Sequence, residues 1–255
     1  MKTPVNYRKG IPFFCHKSTT EFKSDVYERY DEMVVRQTAL HLADEVWGNY
    51  PMQAVLDFAK AQYENLDDHN IVEVGCGVGR WIGSLATRFP KSTCWGIDYS
   101  YQMLKRAREF WIEGQELAID LKNKGAQGLL SIKGHQLDNL QFGLAKATRL
   151  PFDDESQDLL LNSFLLDRLE SPTDGLLETY RVLKPNGKLI LITPLNFNKA
   201  EHWESYYPPV KLNALMTDMG FQILEWQEEI ILQEPLDLRG NTVSWKCLGV
   251  LANKK

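Results

Sequence analysis

Three glycines at alternating positions, Gly75, Gly77 and Gly79, sit inside the stretch Ile71 to Trp81 (IVEVGCGVGRW). A short apolar run that ends in such a turn and continues into a helix brings a ligand against bare backbone, with the helix N–H groups pointing at it. That is chemistry for holding a nucleoside-containing cofactor. A glycine turn alone does not separate one such cofactor from another, because nicotinamide and flavin enzymes use related loops whose last glycine falls one residue later. Glu73, two residues before the first glycine, narrows the choice. A carboxylate there is unwelcome beside a pyrophosphate but suits a loop around a cationic, phosphate-free cofactor. Asp98 follows Gly96-Ile97 at the end of the next apolar run, where it can accept both hydroxyl hydrogens of a ribose. The same carboxylate could instead cap a helix beginning near Ser100, and Ser100 is itself a good cap.

The elements that must position these residues follow from periodicity. Met33, Val34, Leu40, Ala43 and Val46 predict a helix over 27–47, stopped by Gly48-Asn49-Tyr50-Pro51, and a second helix runs from Met52 to about Tyr63. Beyond them strand and helix patterns alternate. Strands are predicted at 71–74, 92–97, 159–161 and 188–193, the last after the turn Pro185-Asn186-Gly187. Helices are predicted at 81–88, from Tyr101 to about Leu121, and at 175–183. Such alternation means βαβ units and a parallel sheet. Runs 220–224 and 243–251 read as an antiparallel pair at the sheet edge. Residues 1–25, polar and broken by Pro4 and Pro12, read as an arm outside the core. The segment 122–143, with Gly125, Gly128 and Gly134, reads as an inserted hairpin or cap. The expected organisation is one domain over 1–255, with an arm and cap helices over 1–66 and a cofactor-binding core over 67–255.

The chain has 255 residues and a formal charge of −5, and it lacks the basic stripe of a nucleic-acid binder, so no nucleic-acid partner is expected. Lys105, Arg106 and Arg108 fit a solvated helix face. Cys15, Cys76, Cys94 and Cys247 form no C-x-x-C pair and no zinc spacing, which predicts reduced thiols and no metal. No apolar stretch approaches the roughly 18 residues that span a bilayer, and the first residues lack a secretory pattern, so a cytoplasmic protein without a membrane partner is expected.

Glu73 to Gly79, Gly96-Ile97-Asp98, Leu150-Pro151-Phe152, Leu183 to Gly187 and Gly220-Phe221 resemble, in order and spacing, the successive motifs of class I S-adenosylmethionine-dependent methyltransferases. The resemblance covers about 71–251. It implies an α/β, Rossmann-like sheet of seven strands with the last strand antiparallel, and S-adenosylmethionine as cofactor. It implies that Gly75, Gly77 and Gly79 meet the methionine part, Asp98 the ribose, and Tyr99 and Met103 the surroundings of the adenine. Glu73, Cys76, Arg80, Ser100, Ala147, Thr148, Asn162, Ser163 and Phe164 complete the implied cofactor set. One departure is visible: where many members carry an acidic residue that meets the adenine amino group, this chain has Lys146, leaving backbone contacts or Thr148 for the adenine.

A narrower similarity concerns the methyl acceptor. Val78-Gly79-Arg80, Gly96 to Ser100, the insertion, Leu166-Asp167-Arg168-Leu169 with Ser171-Pro172, and Asn241 to Trp245 resemble the methyltransferase domain of ovothiol biosynthesis, which methylates the imidazole nitrogen of a thiolated histidine. On that resemblance Asp167 or a tyrosine, Tyr30 being the candidate, would orient the imidazole, and Arg168 or Arg80 could meet a carboxylate; Asp167-Arg168 could equally be an ion pair of little consequence. Tyr27 is a candidate pocket residue. Trp203, Tyr206 and Tyr207 read either as a substrate lid or as a packed loop, and His41 as a structural histidine before a base. The expected activity is methyl transfer to a small molecule. A protein or RNA acceptor, or a cofactor-binding subunit without catalysis, are the alternatives, and the sequence leaves the oligomeric state open.

Overall fold

The structure is a computed structural model that describes residues 1–29, 31–47, 50–63 and 65–255. The chain opens with a hairpin, β1 (Asn6–Arg8) and β2 (Ile11–Phe13), and then the helices α1 (Thr19–Ser24), α2 (Val26–Arg29), α3 (Asp31–Leu42) and α4 (Gln53–Lys60). Next come β3 (Asn70–Val74), α5 (Arg80–Arg88), β4 (Thr93–Asp98) and α6 (Tyr101–Trp111), a hairpin of β5 (Leu117–Asp120) and β6 (Leu129–Ile132), and β7 (Leu140–Leu144). The chain continues through β8 (Gln157–Ser163), α7 (Pro172–Val182), β9 (Leu183–Thr193), α8 (Ala200–Tyr206), α9 (Pro209–Asp218), β10 (Phe221–Pro235) and β11 (Thr242–Lys254).

One sheet runs in the order β1-β2-β7-β4-β3-β8-β9-β11-β10. β7, β4, β3, β8 and β9 are parallel, while β11 is antiparallel to both β9 and β10. The expected seven strands with a reversed last strand are therefore present, and the N-terminal hairpin adds two more at one edge. The chain moves outward from β3 to β7 and then returns to place β8 on the other side of β3. That reversal opens a crevice at the carboxyl ends of β3, β4 and β8, where ligands of open α/β sheets sit.

The parallel strands are buried on both faces, as helices on either side require. Ile71 joins the apolar layer under α4, α5 and α6, and Val72 and Val74 join the layer under α7, α8 and α9. Glu73 shares the face of Ile71, which places its carboxylate beneath the start of α5.

Three expectations are corrected. The first 25 residues are not merely an arm: Ile11 and Phe13 are buried, Phe13 pairs with Leu144 of β7, and its ring lies 5.9 Å from that of Tyr101. A three-residue strand is too short for its alternation to stand out from a polar segment. The helix from Tyr101 stops at Trp111, and Gly114 at φ 68° turns the chain into the β5–β6 hairpin. The inserted hairpin thus spans 117–132, and Leu140–Leu144 is a core strand; Leu117 and Ile119 are buried while Ala118 and Asp120 are exposed, a period of two rather than of 3.6. The helix expected over 27–47 is divided between α2 and α3 and ends at Leu42; Gly48 and Asn49 of its stop signal lie outside the described residues.

β10 and β11 are longer than the sequence suggested, with 15 and 13 residues. β11 pairs with β9 only from Leu248 to Asn253, so the part in which Ile230–Pro235 faces Thr242–Cys247 projects past the end of β9 as a two-stranded ribbon. This ribbon reaches over the crevice. No helix among the described residues is long and apolar enough to cross a membrane.

If the N-terminal hairpin is part of the core, Phe13→Ala should destabilise the protein by about 3 kcal/mol, the usual cost of emptying a buried phenylalanine site. Urea unfolding checks this, and a loss near zero would return the segment to the status of an arm.

Candidate functional site

β3 runs straight into the glycine turn. Gly75, Gly77 and Gly79 have φ of 74°, 53° and 77°, a left-handed backbone that side chains resist. Space is lacking as well, since a Cβ on Gly79 would lie 2.8 Å from the ring of Phe142. The N–H groups of Gly75 and Cys76 donate to the carbonyl of Ile97 at 2.7 and 3.1 Å, which ties the turn to β4. Gly79 occupies the N-cap of α5 and has no side chain to offer. Glu73 takes over that role: its Oε2 accepts the N–H of Ile82 at 2.9 Å. Burial pushes the Glu73 carboxyl up to about 8, against the pull of that N–H and with help from the charge of Asp98.

Asp98 ties the glycine turn to the residue that caps α6. Its Oδ2 accepts the N–H of Gly77 and its Oδ1 that of Ser100, each at 2.8 Å. Ser100 is the N-cap of α6, its Oγ accepting the N–H of Met103 at 3.4 Å. Burial raises the Asp98 carboxyl, and the N–H groups of Ser100 and Gly77 oppose it. Each carboxylate oxygen keeps a further lone pair for a ribose hydroxyl.

These groups line a cavity of about 720 Å³. Asp98, Tyr99, Ser100, Met103, Ala147 and Thr148 stand at one end of it, Glu73, Gly75, Cys76, Gly77 and Arg80 along the turn, and Ser163 and Phe164 at the end of β8. Burial pushes the Cys76 thiol well up, so it is inert. Gly79 and Asn162 stand behind the lining; Asn162 is held in β8 between Val74 and Leu191, and its buried Oδ1 has no partner among the described residues.

The N-terminal helices cover the Asp98 end of the cavity, where Tyr27 was a candidate pocket residue and Glu21 and Asp25 were not. Glu21, Asp25 and Tyr27 line the cavity. The buried Lys17 ammonium pairs with Asp25 at 2.6 Å and Glu28 at 3.3 Å and donates to the carbonyl of Tyr99 at 2.9 Å. Lys146 and the hydroxyl of Tyr99 both donate to Glu21 Oε1, at 2.7 and 2.8 Å. Lys146 foremost holds the Glu21 carboxyl well below the usual range. An acid from α1 thus stands beside position 146, bonded to Lys146 itself. The signal was present: Ser18-Thr19-Thr20-Glu21 is a capping box, and both of its reciprocal hydrogen bonds are formed.

The other end of the cavity is built from α3, the segment before α4, and the ribbon. Gln37, Leu40, His41, Tyr50, Met52, Leu232, Glu234 and Trp245 line it together with Arg168, Leu169 and Pro194. Arg36 of α3 donates to Glu234 Oε1, and the Trp245 indole donates to Glu234 Oε2 at 2.9 Å, so the ribbon is clamped to the helix. His41 Nε2 lies 2.9 Å from Gln37 Oε1, an oxygen that only accepts, which puts the proton on Nε2. Burial, then the charge of Arg80, pushes His41 down to about 4, so it is a neutral imidazole and a poor base near pH 7. Arg80 donates to the carbonyl of Leu42 at 3.1 Å and to Asp44 at 2.9 Å. Burial first, then the charge of Asp98, raises the Tyr27 phenol.

Several expected acceptor residues lie elsewhere. Asp167 does not line the cavity: it is buried behind it, accepting from Thr193 Oγ1 at 3.0 Å, with burial raising its carboxyl. The two charged side chains of the three-residue 3₁₀ turn Leu166–Arg168 form the ion pair that was the alternative reading, Arg168 Nε lying 3.3 Å from Asp167 Oδ2, and Arg168 is the one that reaches the cavity. Trp203, Tyr206 and Tyr207 also stay outside the lining. Trp203 Nε1 donates to the carbonyl of Phe197 at 2.8 Å, Tyr206 meets Thr173 at 2.8 Å, and Tyr207 stacks edge-on against Trp203 at 5.4 Å. Trp203 and Tyr206 stand on α8 with their polar atoms bonded to the segment before it and to α7, and the exposed Tyr207 follows the helix, so the three pack outside the lining. Tyr30 lies outside the described residues. No group of three metal-ligating side chains occurs among the described residues.

Residues 72–191 match a family described as "Methyltransferase domain". Over 151 residues the chain is 31% identical to the ubiquinone/menaquinone biosynthesis C-methyltransferase UbiE of Rickettsia felis, a match covering 57% of this chain and 50% of that protein. Over 177 residues it is 26% identical to the demethylmenaquinone methyltransferase of Chlorobaculum tepidum, covering 69% of this chain and 62% of that one. The chain spans about half the length of the first of these curated relatives. A crystal structure of a SAM-dependent methyltransferase from Aquifex aeolicus is similar in fold, with a TM-score of 0.53 and 19% identity over 89% of this chain and 100% of that one. The fold is shared with that SAM-dependent methyltransferase.

The raised Glu73 carboxyl has a consequence for stability. Between about pH 4.5, where it would titrate in the unfolded chain, and about 8, where it titrates folded, the folded state binds more protons, so this group's contribution to stability falls as pH rises. Glu73→Gln, which can still accept from Ile82, should lack this decline, and the variant should gain on the native protein between pH 5 and pH 8 in urea unfolding. A stability difference that does not change with pH would contradict the assignment.

Proposed function

We propose that this chain transfers the methyl group of S-adenosylmethionine to a small-molecule acceptor, with the imidazole nitrogen of a thiolated histidine as the specific candidate. The observation that carries the reading is one continuous cavity, with the Asp98 and glycine-turn cradle at one end and a chamber of α3 and ribbon residues at the other. The residues fit the cofactor: left-handed glycines leave bare backbone for the methionine part, Asp98 has lone pairs for the ribose, and Glu73 adds a carboxyl rather than a phosphate-binding cation.

When bound, the cofactor supplies an electrophilic methyl on a sulfonium, open to direct displacement. The chain's own task is alignment and exclusion of water. α1 and α2, held by Lys17 and Glu21, close the nucleoside end. The clamp of Arg36, Glu234 and Trp245 closes the acceptor end. Tyr27 stays protonated, and its phenol feels the charges of Asp98, Arg168 and Glu234, which puts it between the two ends. His41, neutral and with its proton on Nε2, offers Nδ1 as a hydrogen-bond acceptor. The thiolated-histidine candidate rests on the sequence motifs around Asp167-Arg168 and Asn241 to Trp245; Arg168 and Trp245 both lie on the cavity wall. A quinone-like acceptor, the kind named for the relatives, is the second reading, favoured by the apolar wall of Leu40, Met52, Val55, Leu56 and Leu232.

Calorimetry with S-adenosylmethionine and S-adenosylhomocysteine tests the cofactor, and failure to bind either would sink the reading. Asp98→Ala should weaken S-adenosylhomocysteine by at least about tenfold, the effect of losing charged hydrogen bonds to two hydroxyls. Incubation with labelled cofactor and 5-thiohistidine tests the acceptor. No transfer from a bound cofactor would remove the histidine candidate and leave methyl transfer standing.

A further inference from the structure

We propose that the ribbon of residues 230–235 and 242–247 is a hinged roof over the acceptor chamber, latched to α3 through Arg36 and Glu234, which opens to admit the methyl acceptor while the cofactor stays bound. This rests on reading the ribbon end of the cavity as the acceptor chamber.

The hinge is visible in the strand pairing. β11 begins to pair with β9 at Leu248, opposite Thr193. On its other side the register of β10 slips between Gln227, paired with Gly249, and Ile230, paired with Cys247. Glu228 and Glu229 therefore stand opposite Leu248 alone, and Glu229 has a φ of 63°. A bulge of this kind bends its strand and interrupts the ladder. It falls at the very residue where β11 joins the sheet, so sheet and ribbon meet at a joint.

The two sides of that joint are held differently. Within the sheet, β11 lies between β9 and β10, and Gly249 packs so near α4 that a Cβ there would lie 2.9 Å from the ring of Phe58. Beyond the joint the two strands have only each other to pair with. Among the described residues the ribbon and its turn are hydrogen-bonded to the rest of the protein at two places. Arg36 donates to Glu234 Oε1, and the N–H of Leu238 in the turn donates to the carbonyl of Lys124, in the loop of the inserted hairpin, at 3.0 Å. The turn is otherwise closed on itself, with Asp237 Oδ1 accepting the N–H groups of Arg239 and Asn241 at 2.9 and 3.4 Å.

The inner face of the ribbon suits a roof. Leu232 and Trp245 stand opposite each other and both line the cavity, while Ile231 and Lys246 on the outer face are exposed. Glu234 Oε2 also accepts the Trp245 indole N–H at 2.9 Å. One carboxylate thus latches the ribbon and orients the Trp245 ring, which makes Glu234 a positioning residue for the acceptor wall. The cofactor end is held by other bonds: Lys17 with Asp25 and Glu28, and Glu21 with Lys146. Opening the ribbon breaks one ion pair and one backbone hydrogen bond and leaves those in place.

Hydrogen exchange read by mass spectrometry tests this without an acceptor. In the unliganded protein, amides of 230–235 and 242–247 should exchange at least about tenfold faster than those of 248–253, as local opening requires. Arg36→Met and Glu234→Gln should each speed exchange in the ribbon by about tenfold more, the effect of losing a charged hydrogen bond, and leave 248–253 unchanged. Arg36→Lys should restore part of the protection, whereas a merely structural role would move both segments together. Saturating S-adenosylhomocysteine should slow exchange over 19–29 and leave the ribbon opening at its own rate. Arg36→Met leaves the ribbon's own sequence intact and carries the test if Glu234→Gln fails to fold. Ribbon and sheet segments that exchange in step, or ribbon exchange unchanged by loss of the latch, overturn the proposal. Ribbon protection by S-adenosylhomocysteine equal to that of 19–29 also overturns it, because the ribbon would then be a lid on the cofactor. Failure to bind S-adenosylhomocysteine at all would instead overturn the underlying methyl-transfer reading, with the hinge still decided by the unliganded protein.

Discussion

The two oxygens of Asp98 accept from Gly77 in the cofactor turn and from Ser100 at the start of α6, and most of the site hangs on that pair of hydrogen bonds. They join the turn after β3 to the helix after β4, two segments 21 residues apart in the chain. With the carboxylate in place, the left-handed glycines have one arrangement that satisfies their N–H groups, and α5 starts where Glu73 can cap it from below. The arrangement brings two acids close together inside the protein. Burial raises both carboxyls, with the charge of Asp98 adding to the rise of Glu73 and that of Asp25 to the rise of Asp98, and the backbone N–H groups directed at them oppose it.

Around that cradle the protein assembles a chamber from parts that are distant in sequence. The lid over the nucleoside end comes from the first 29 residues, and the far wall from the last two strands. The bond between Arg36 and Glu234 spans 198 positions. Segments tied down in this way close both ends of the cavity. Of the ionisable groups facing the chamber, His41 is pushed down to about 4 and Tyr50 up to about 12, while Arg80 donates to Asp44 and its buried Nε has no partner among the described residues.

The family resemblance and the structure also separate what a fold implies from what a pocket implies. The methyltransferase-domain match ends at residue 191. Leu232, Glu234 and Trp245 lie beyond it, and α3 lies before it. The acceptor wall is therefore drawn from the parts of the chain that the shared domain does not cover, which is where acceptor preferences can differ between proteins that hold the same cofactor alike.

The cofactor half was legible in the sequence because its constraints are local. A strand, three glycines, a helix and an acid at the end of the next strand encode their geometry within about 30 residues, and backbone sterics leave few ways to satisfy them. The parallel sheet and its reversed last strand were legible for a similar reason, since each buried strand carries its own apolar run. The acceptor half was not. Asp167 and Arg168 are neighbours in sequence, yet one is buried behind the cavity and the other faces into it, a choice made by the tight turn and by Thr193 on another strand. Trp203, Tyr206 and Tyr207 carry the composition of a binding loop, but they stand on or just after α8 and outside the cavity lining, where the preceding segment and α7 take the polar atoms of Trp203 and Tyr206. Which face of a residue meets the ligand depends on contacts between distant segments, and those exist only after the chain has folded.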